Sequence, residues 1–279
     1  MLRSRLWYRL ARNPLSVVGL VVVVALCVLA AFAPYLTPYP AHAGAFLDFP
    51  NASRPPSWAH PFGTDTVGRD ILTRVAFAYR VSIVLGVVVL GLAAPVGVTL
   101  GLVAGYRPGR VETLIMRVTD VFLAIPPLVL ALAILAFLEP TLANAMLAVS
   151  VMWWPWYARL TYNVTRSVAT EGYVVATTVV GASHAHLLFR EILPNCLPPI
   201  LTKLTLDMGF VILIGSSLSF LGLGVQPPTP DLGSMVADGA QYLPDLWWLS
   251  VFPGLGVLLA VLGFNLLGDG LRDVLDVEA

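Results

Sequence analysis

Charged side chains are scarce in this chain. Aspartate, glutamate, lysine and arginine make up 11% of its 279 residues, whereas soluble domains carry about 25%. The formal net charge is zero, which gives no support for a nucleic-acid partner. Because 58% of the residues are hydrophobic, the composition places the chain among membrane proteins.

Cysteine and the motifs of common enzymes are also scarce or missing. Cys27 and Cys196 lie in or beside apolar runs, which argues for small buried residues and against a disulfide framework. The sequence contains no Gly-x-x-x-x-Gly-Lys-Ser/Thr loop for ATP and no His-Glu-x-x-His motif. His184 and His186 are two residues apart, so a helix would point them to different faces. We therefore predict no catalytic residue, metal or cofactor in this chain.

Long apolar runs, in contrast, are abundant. A helix needs about 20 apolar residues to cross a bilayer. Internal prolines are tolerated in such helices because neighbouring helices satisfy the freed backbone groups. The sequence predicts an all-α polytopic membrane protein with six transmembrane helices, of which the third starts before residue 121, near residue 112, and the fourth is short. The six candidate runs are residues 14–35, 81–106, 121–138, 142–157, 198–223 and 249–267.

The first run has an alternative interpretation as a signal peptide. Arg3, Arg5, Arg9 and Arg12 precede it, and the sequence AFA at residues 31–33 resembles a cleavage site. The run is longer than a signal-peptide core, and five more candidate spans follow it. We favour an uncleaved anchor.

The basic residues set the orientation. A cytoplasmic N-terminus leaves only Arg54, Arg69, Arg74 and Arg80 outside, all in one long segment that weighs little in the positive-inside rule. The seven tryptophans fall at or beyond span ends, where indoles prefer to lie. Both termini are therefore predicted to be cytoplasmic. The inner residues would be Arg3, Arg5, Arg9, Arg12, Arg107, Arg110, Arg117, Arg159, Arg166, Arg190, Lys203 and Arg272.

These spans divide the chain into three parts. Residues 1–36 form a cytoplasmic arm and the first helix, residues 37–80 an extracytoplasmic segment, and residues 81–279 a core of five helices. The extracytoplasmic segment ends with helical spacing, which puts Ile71, Leu72, Val75 and Tyr79 on one face. A second outer loop at residues 225–247 has the prolines and glycines of an ordered turn.

One polar stretch, EGYVVATTVVGASHAHLLFREILPN, occupies residues 171–195 on the cytoplasmic side. Thr170 is expected to cap a helix whose first turn contains Glu171. Gly181 would end that helix in a left-handed conformation, and Ser183 would cap a second helix that stops at Pro194. A narrow face is predicted for Tyr173, Ala176, Thr177 and Val180. This pattern predicts either a knob presented to a partner or a linker that lies on the bilayer.

Ionisable residues in membrane spans are functional candidates, and Asp120, Asp207 and Asp269 qualify. An intramembrane aspartyl enzyme would need glycine at position 266 for its Gly-x-Gly-Asp motif, but Leu266 stands there. Asp207 shares the fifth span with Ser216, Ser217 and Ser219. These polar and small residues would line a passage, serve close helix packing, or do both.

With these residues in view, the chain resembles ABC-importer permeases of the dipeptide/oligopeptide/nickel family, specifically the second, C-type permease subunit. The resemblance is carried by HPFGTDTVGRDILTRV at residues 60–75, SLSFLGLGVQPPTPDLGSMVADG at 217–239 and the ending NLLGDGLRDVLD. It is also carried by EGYVVATTVVGAS in the cytoplasmic stretch, followed by Leu193-Pro194. The family's Glu-Ala-Ala positions hold Val175, Ala176 and Thr177, and Glu191 stands where isoleucine is usual.

The resemblance implies an ABC type I importer permease fold in the bacterial inner membrane, with alternating access. It implies that residues 170–195 are coupling helices that dock on a separate ATPase. The implied partners are a second homologous permease subunit, two ABC ATPases that bind ATP and Mg²⁺, a substrate-binding protein that docks on residues 36–80 and 225–247, and membrane lipids. The implied coupling residues are Glu171, Tyr173, Ala176, Thr177, Gly181, Ala182, Ser183, Leu193 and Pro194.

The solute is the least specified part of this prediction. Family members carry dipeptides, oligopeptides, nickel, and some sugars or opines. A nickel path would offer imidazole or thiolate ligands, yet no histidine lies within a predicted span. We expect dipeptides or oligopeptides, with nickel or another small solute as the alternative.

Overall fold

The computed structural model describes residues 13–275, so the arginine-rich arm and the last four residues lie outside the described part of the chain. Within it the protein is helical, and the only β-type pairing is an isolated bridge between Thr64 and Asp70. The helices are α1 (Pro14–Leu36), α2 (Ile71–Tyr106), α3 (Arg110–Leu123), α4 (Pro127–Leu135), α5 (Leu142–Val168), α6 (Gly172–Val179), α7 (Leu193–Phe220), α8 (Leu232–Ala240) and α9 (Trp248–Leu275).

Shorter helical turns connect some of these elements. Two 3₁₀ turns, Pro40–Ala43 and Phe49–Asn51, lie in the segment between α1 and α2. A helical turn at His184–His186 and a π-helical turn at Leu187–Ile192 lead directly into α7. The run from His184 to Phe220 is therefore one helical rod of 37 residues.

Four helical segments of the described chain are long and apolar enough to cross a membrane: α1, α2, the His184–Phe220 rod and α9. The pair α3 and α4 adds a fifth if it counts as one bent span. Helix α5 is not among them by composition. Length and composition thus support four or five spans in residues 13–275.

The structure corrects the third predicted span. Residues 121–138 do not form one helix, because α3 ends at Leu123 and α4 leaves at an angle of 87°. Pro126 has an extended backbone (φ −55°, ψ 130°) and Pro127 occupies the first turn of α4. A proline removes a backbone donor and disfavours helix at the residue before it, so two in succession end one helix and begin another.

Helix α2 begins earlier than the predicted second span. It starts at Ile71 instead of residue 81, because the Asp70 side chain caps it by accepting a hydrogen bond from the Thr73 amide at 2.8 Å. The predicted helical face is present, with Ile71, Val75 and Tyr79 buried. The end of the outer segment is therefore the first part of a membrane helix.

Helices α2 and α5 pack against each other through a row of glycines. Gly97, Gly101 and Gly105 are spaced four residues apart on α2, and a Cβ atom on any of them would collide with α5. At Gly101 such an atom would lie 2.5 Å from the Ala158 carbonyl oxygen. Small residues at this spacing allow two helix backbones to approach closely in a membrane.

The outer segment folds onto the start of α2 around a buried carboxylate. Asp70 is fully buried, and its Oδ1 lies 2.9 Å from His60 Nδ1. The Asp70 amide donates to His42 Nδ1 at 2.9 Å, and the Tyr39 ring stacks on His42. These contacts hold residues 39–70 in one defined position on the outer end of α2.

Acidification is expected to loosen this outer segment. Burial lowers the pKa of His42 below its usual value of 6.5, and the Nδ1 atom that accepts from Asp70 must be unprotonated. Between the lowered pKa of His42 in the folded state and its value of about 6.5 in the unfolded chain, the folded state binds fewer protons than the unfolded state. Folding stability that is present above pH 6.5 is therefore lost as the pH falls through the folded pKa. Protection of residues 39–70 against hydrogen exchange, taken relative to the intrinsic exchange rate at each pH, should therefore fall as the pH drops from about 6.5 towards about 5.

A His42→Gln variant provides the control for this pH effect. Its side-chain oxygen can still accept from the Asp70 amide but does not titrate in this range. The protection of residues 39–70 against exchange should therefore depend less on pH in the variant than in the wild type. An identical pH dependence in both proteins would contradict the assignment to His42.

Candidate functional site

Residues 171–195, the stretch predicted to face the cytoplasm, form the corner that the sequence predicts. Gly181 has a positive φ of 90°, its amide donates to the Thr178 carbonyl at 3.0 Å, and the Ala182 amide donates to the Thr177 carbonyl at 3.3 Å. These bonds close the end of α6 in the way a left-handed glycine allows. The Ser183 hydroxyl then caps the next turn by accepting from the His186 amide.

Two details of this stretch differ from the prediction. Thr170 does not cap α6, because its hydroxyl donates to the Ser167 carbonyl at 2.8 Å and Glu171 takes the capping position without a side-chain bond. The second helix does not stop at Pro194. Pro194 lies inside the continuous helical run from His184 to Phe220, directly after the π-helical turn whose last bond joins the Leu193 amide to the Leu188 carbonyl.

Hydrogen bonds tie the corner to the membrane helices around it. Asn195 in α7 donates to the Tyr173 hydroxyl at 3.0 Å and to the Glu191 carbonyl at 2.7 Å. His184 Nδ1 lies 2.8 Å from the hydroxyl of Tyr106 at the end of α2. Burial raises the pKa of Tyr173 and nearby carboxylates add to this effect, so the hydroxyl stays protonated at neutral pH. These bonds hold the corner against α2 and α7.

The outward side of the corner is concave and apolar. An open cavity of about 530 Å³ is lined by Ala176, Thr177, Val180, Gly181, Ala182, Ser183 and His186. Val179 and Val180 at its edge are 81% and 88% exposed, and Phe189 is also exposed. Exposed apolar clusters of this kind mark interaction sites. Five predicted coupling residues line this cavity: Ala176, Thr177, Gly181, Ala182 and Ser183.

The remaining predicted coupling residues lie around this cavity instead of in it. Glu171 is at the far end of α6, and Tyr173 faces the base of α7. Leu193 and Pro194 form the first turn of α7. They belong to the connection between the corner and the membrane helix.

Asp207 lies at the middle of α7 and is 4% exposed. Lys203 Nζ lies 3.1 Å from its Oδ1. Both residues line an open cavity of about 420 Å³ that is flanked by Leu160 of α5 and Arg272 of α9. A buried carboxylate that is paired and borders a cavity between helices has the properties of a solute-path residue.

The three candidate serines do not join Asp207. Ser216 and Ser217 line a separate, mostly apolar cavity of about 380 Å³ with Gly233 and Val257. Ser219 is buried against Asp231, the residue that caps α8. Burial raises the pKa of Asp231, and hydrogen bonds from Ser234 and Ser219 oppose that shift.

The arrangement of the aspartates does not support an aspartyl enzyme. Such enzymes need two carboxylates that share one proton. Asp120 instead pairs with Arg159, Asp207 pairs with Lys203, and Asp269 is exposed. Within residues 13–275, no two aspartates are hydrogen-bonded to each other.

A polar cluster that was not predicted from the sequence lies near the end of α5. Glu112 Oε1 accepts from the Tyr162 hydroxyl and from Arg166 Nη1, both at 2.5 Å, and its Oε2 accepts from the Gly109 amide. The cluster ties α3 to the end of α5. Its only sequence signal is a glutamate three residues after a glycine that starts a helix.

Comparison with known proteins identifies the family. Residues 97–277 match the family described as binding-protein-dependent transport system inner membrane component. Residues 2–56 match the N-terminal transmembrane domain of oligopeptide transport permease C.

Relatives of similar length agree along the whole chain. The probable D,D-dipeptide transport system permease of Escherichia coli K12 is 42% identical over 276 residues, which cover 99% of this chain and 92% of that protein. The dipeptide transport system permease of the same strain is 44% identical, with 97% and 91% covered. The di/tripeptide permease of Pseudomonas aeruginosa is 41% identical, with 97% and 90% covered.

A solved structure supports the fold. A chain of the MetNI methionine ABC transporter in an inward-facing conformation matches with a TM-score of 0.54 and 20% identity, over 72% of this chain and 92% of that one. Its fold is that of a type I ABC permease. The chain therefore belongs to the binding-protein-dependent transport system inner membrane component family, as a multi-pass ABC permease of the peptide-transport type in the bacterial inner membrane.

Proposed function

We propose that this chain is one of two permease subunits in an ATP-driven importer that moves dipeptides or oligopeptides inward by alternating access. The observation that carries the proposal is the helical rod from His184 to Phe220, which joins the cytoplasmic corner to the cavity around Asp207 without a break. Relatives that share about two-fifths of the sequence are named as dipeptide permeases. The chain's resemblance to them supports a peptide as the solute.

The partner at the cytoplasmic corner is proposed to be an ABC ATPase, which binds the ATP and Mg²⁺. The exposed end of α6, with Val179 and Val180 beside the cavity, suits a short helix that enters a groove on the partner. The residues proposed for this coupling are Glu171, Tyr173, Ala176, Thr177, Gly181, Ala182, Ser183, Leu193 and Pro194.

Movement of the ATPases would reach the membrane through the helical rod. Its base is fixed to α6 by the Tyr173 hydroxyl, which accepts from Asn195 Nδ2 at 3.0 Å and donates to the Glu191 carbonyl at 3.5 Å. A displacement of α6 would therefore tilt α7 and change the cavity between α7, α5 and α9. Rocking of packed helices around a site between two related subunits is the usual basis of alternating access.

Six crossings with both termini inside remain part of the proposal. They would be α1, α2, the bent pair α3 and α4, α5, the His184–Phe220 rod and α9. Helix α5 has 27 residues and spans about 40 Å, more than the roughly 30 Å of the hydrocarbon core. The proposed division is an anchor at residues 1–36, an extracytoplasmic segment at 37–80 and a core at 81–279, with a second permease subunit beside it and lipids around it.

The solute path is proposed to run along the exposed side of α7. Asp207 with Lys203 would line its middle, and Ser216 and Ser217 the part nearer the outer face, because each pair borders an open cavity. Ser219, a further candidate, packs against Asp231. A paired carboxylate and ammonium group can meet both charged ends of a peptide.

Uptake by the complete transporter in lipid vesicles tests the proposed solute. A labelled dipeptide should enter only with ATP and the binding protein, and unlabelled dipeptides or tripeptides should compete with it. Equimolar Ni²⁺ should leave uptake unchanged, since none of the helices α1 to α9 contains a histidine to bind it. Accumulation of Ni²⁺ with no peptide competition would establish the alternative solute.

A further inference from the structure

One arginine lies on the surface of a membrane helix, away from the sites described above. Arg80 belongs to α2 and is exposed. Its guanidinium lies 5.9 Å from the centre of the Phe77 ring, and it forms no ion pair within 4.0 Å in residues 13–275. The distribution of basic residues along the sequence put Arg80 outside the membrane, whereas the contacts of α2 put it inside.

Two neighbouring spans give the depth of Arg80. The adjacent residue, Tyr79, donates a hydrogen bond to the Gly256 carbonyl at 3.0 Å. Gly256 lies eight residues inside the outer end of α9 at Trp248, which is about 12 Å along a helix axis. Tyr79 also lines an apolar cavity with Leu29 of α1, seven residues inside the outer end of that span. By both measures Arg80 lies roughly 10 Å below the outer surface of the hydrocarbon core.

A guanidinium group at this depth requires an anion. Charged side chains inside a bilayer are costly, and almost all of them face the protein interior, a water-filled cavity or an opposite charge. Long basic side chains close to a helix end reach the headgroups, but Arg80 lies nine residues inside the end of α2. The Phe77 ring supplies a cation–π contact without a full negative charge. The described chain therefore leaves Arg80 without the partner that its position requires.

Other helices of this chain cover three sides of α2. Tyr79 bonds to α9, a Cβ atom on Gly215 of α7 would collide with Leu85, and Gly101 packs against α5. The fourth side is open in residues 13–275, and its residues are spaced four, three and four apart, so they share one helix face. This open face of α2 consists of Arg80, Val84, Val87 and Gly91.

The open face suits another helix better than lipid tails or a solute. Val84 and Val87 are 51% and 59% exposed, and a Cβ atom added to Gly91 would meet no atom within 4 Å. A small residue beside apolar ones allows a second membrane helix to approach closely. Lipid tails carry no anion for Arg80. A zwitterionic peptide would find no polar side chain on this face between Arg80 and Gly91.

We propose that the open face of α2 packs against a helix of the second permease subunit, and that Arg80 forms an ion pair with a carboxylate of that subunit inside the membrane; this rests on the proposed function. Neither charge is stable alone in hydrocarbon, so the pairing favours assembly of two different permeases. A second copy of this chain that presented the same face would bring two Arg80 side chains together, and their repulsion disfavours that assembly.

Arg80→Gln should change thermal stability differently in the two assembly states. In the complete transporter in lipid nanodiscs, the midpoint of the permease pair should fall by about 5 °C or more, because the partner's carboxylate is left buried and alone. In the chain purified without the second permease, the midpoint should stay the same or rise, because an unpaired charge leaves the membrane. A residue that only supports the packing of α2 would lower both midpoints.

Two further variants serve as controls for the charge. Arg80→Lys keeps the positive charge, so the complete transporter should lose less than half of what Arg80→Gln loses. Arg107→Gln removes an exposed arginine directly after the other end of the same helix. It should move neither midpoint by more than about 2 °C, as is usual for surface substitutions.

Photocrosslinking identifies the occupant of the open face with Arg80 in place. A benzoylphenylalanine substituted for Val84, one turn from Arg80, should attach to the second permease subunit when membranes with the complete transporter are irradiated. Mass spectrometry of the adduct should find an aspartate or glutamate within about one helical turn of the attachment site. This measurement decides the matter if the Arg80→Gln chain is stable alone but does not assemble.

Each contrary result has its own meaning. Midpoints that fall together in both assembly states, or no fall in the complete transporter, would overturn the ion pair. Lipid adducts alone at Val84 would also overturn it and would assign Arg80 to a phospholipid headgroup. Adducts with a second copy of this chain would refute the two-permease assembly of the proposed function. Failure of peptide uptake with the Val84 adduct intact would refute the proposed solute and leave the pairing in place.

Discussion

Replacement of Gly181 by valine is expected to lower ATP-driven uptake by roughly tenfold or more, with membrane insertion unchanged. The residue has a φ of 90°, a conformation that costs a β-branched side chain about 1–3 kcal/mol. No atom lies within 4 Å of a Cβ atom added there, so the loss would come from the backbone alone. When both are measured in the same vesicles, uptake should fall while ATP hydrolysis continues, because the altered corner no longer fits the ATPase.

Two further variants isolate this backbone effect. Gly181→Asn adds a side chain of similar size that tolerates the left-handed region, and it should retain most of the uptake. Gly172→Ala introduces a Cβ atom into open space at the other end of α6, where φ is not positive. If Gly181→Val transports as fast as these two controls, the corner does not transmit the motion.

The largest loss of stability is expected for Gly101→Val. An added Cβ atom would lie 2.5 Å from the Ala158 carbonyl oxygen, 2.8 Å from Thr161 Cβ and 2.9 Å from the Tyr162 amide nitrogen. Two of these are backbone atoms that a rotamer change cannot move, so α2 and α5 would have to separate. Overpacking costs about 1–3 kcal/mol when side chains can adjust, and this site should exceed that range.

Thermal unfolding of the purified protein in detergent measures this effect, and Gly91→Val is its matched control. Gly91 lies on the same helix with no atom within 4 Å of an added Cβ atom. Its midpoint should stay near that of the wild type, whereas that of Gly101→Val should fall by about 5 °C or more. Equal midpoints for the two variants would show that the glycine row does not set the distance between the helices.

Local patterns in the sequence predicted the cytoplasmic corner well. Gly181 adopts the left-handed conformation and Ser183 caps the following turn, because both features depend on chemistry within a few residues. The row of Gly97, Gly101 and Gly105 has the spacing of a membrane packing motif, but it was not predicted from the sequence, and only the structure identified α5 as its partner.

Hydropathy predicted the membrane helices less well at their ends. It measures how apolar a run is, but helix boundaries follow from capping and backbone geometry. Asp70 therefore starts α2 before the apolar run begins, and Pro126 and Pro127 break a run that is apolar throughout. Pro194 does not end the helical run, because a π-helical turn at Leu187–Ile192 directly precedes it and such local adjustments compensate for the backbone bond that a proline removes.

By itself, the sequence determined the membrane class, the all-helical architecture, the cytoplasmic corner and the family, since these follow from composition and from contiguous motifs. Only the tertiary structure decided which polar residues share a site. It placed Asp207 with Lys203, Ser219 with Asp231, and Arg74 with Asp65 and Asp238. Burial and pairing of charge depend on distant segments that meet in space, and the order of residues along the chain does not encode those distances directly.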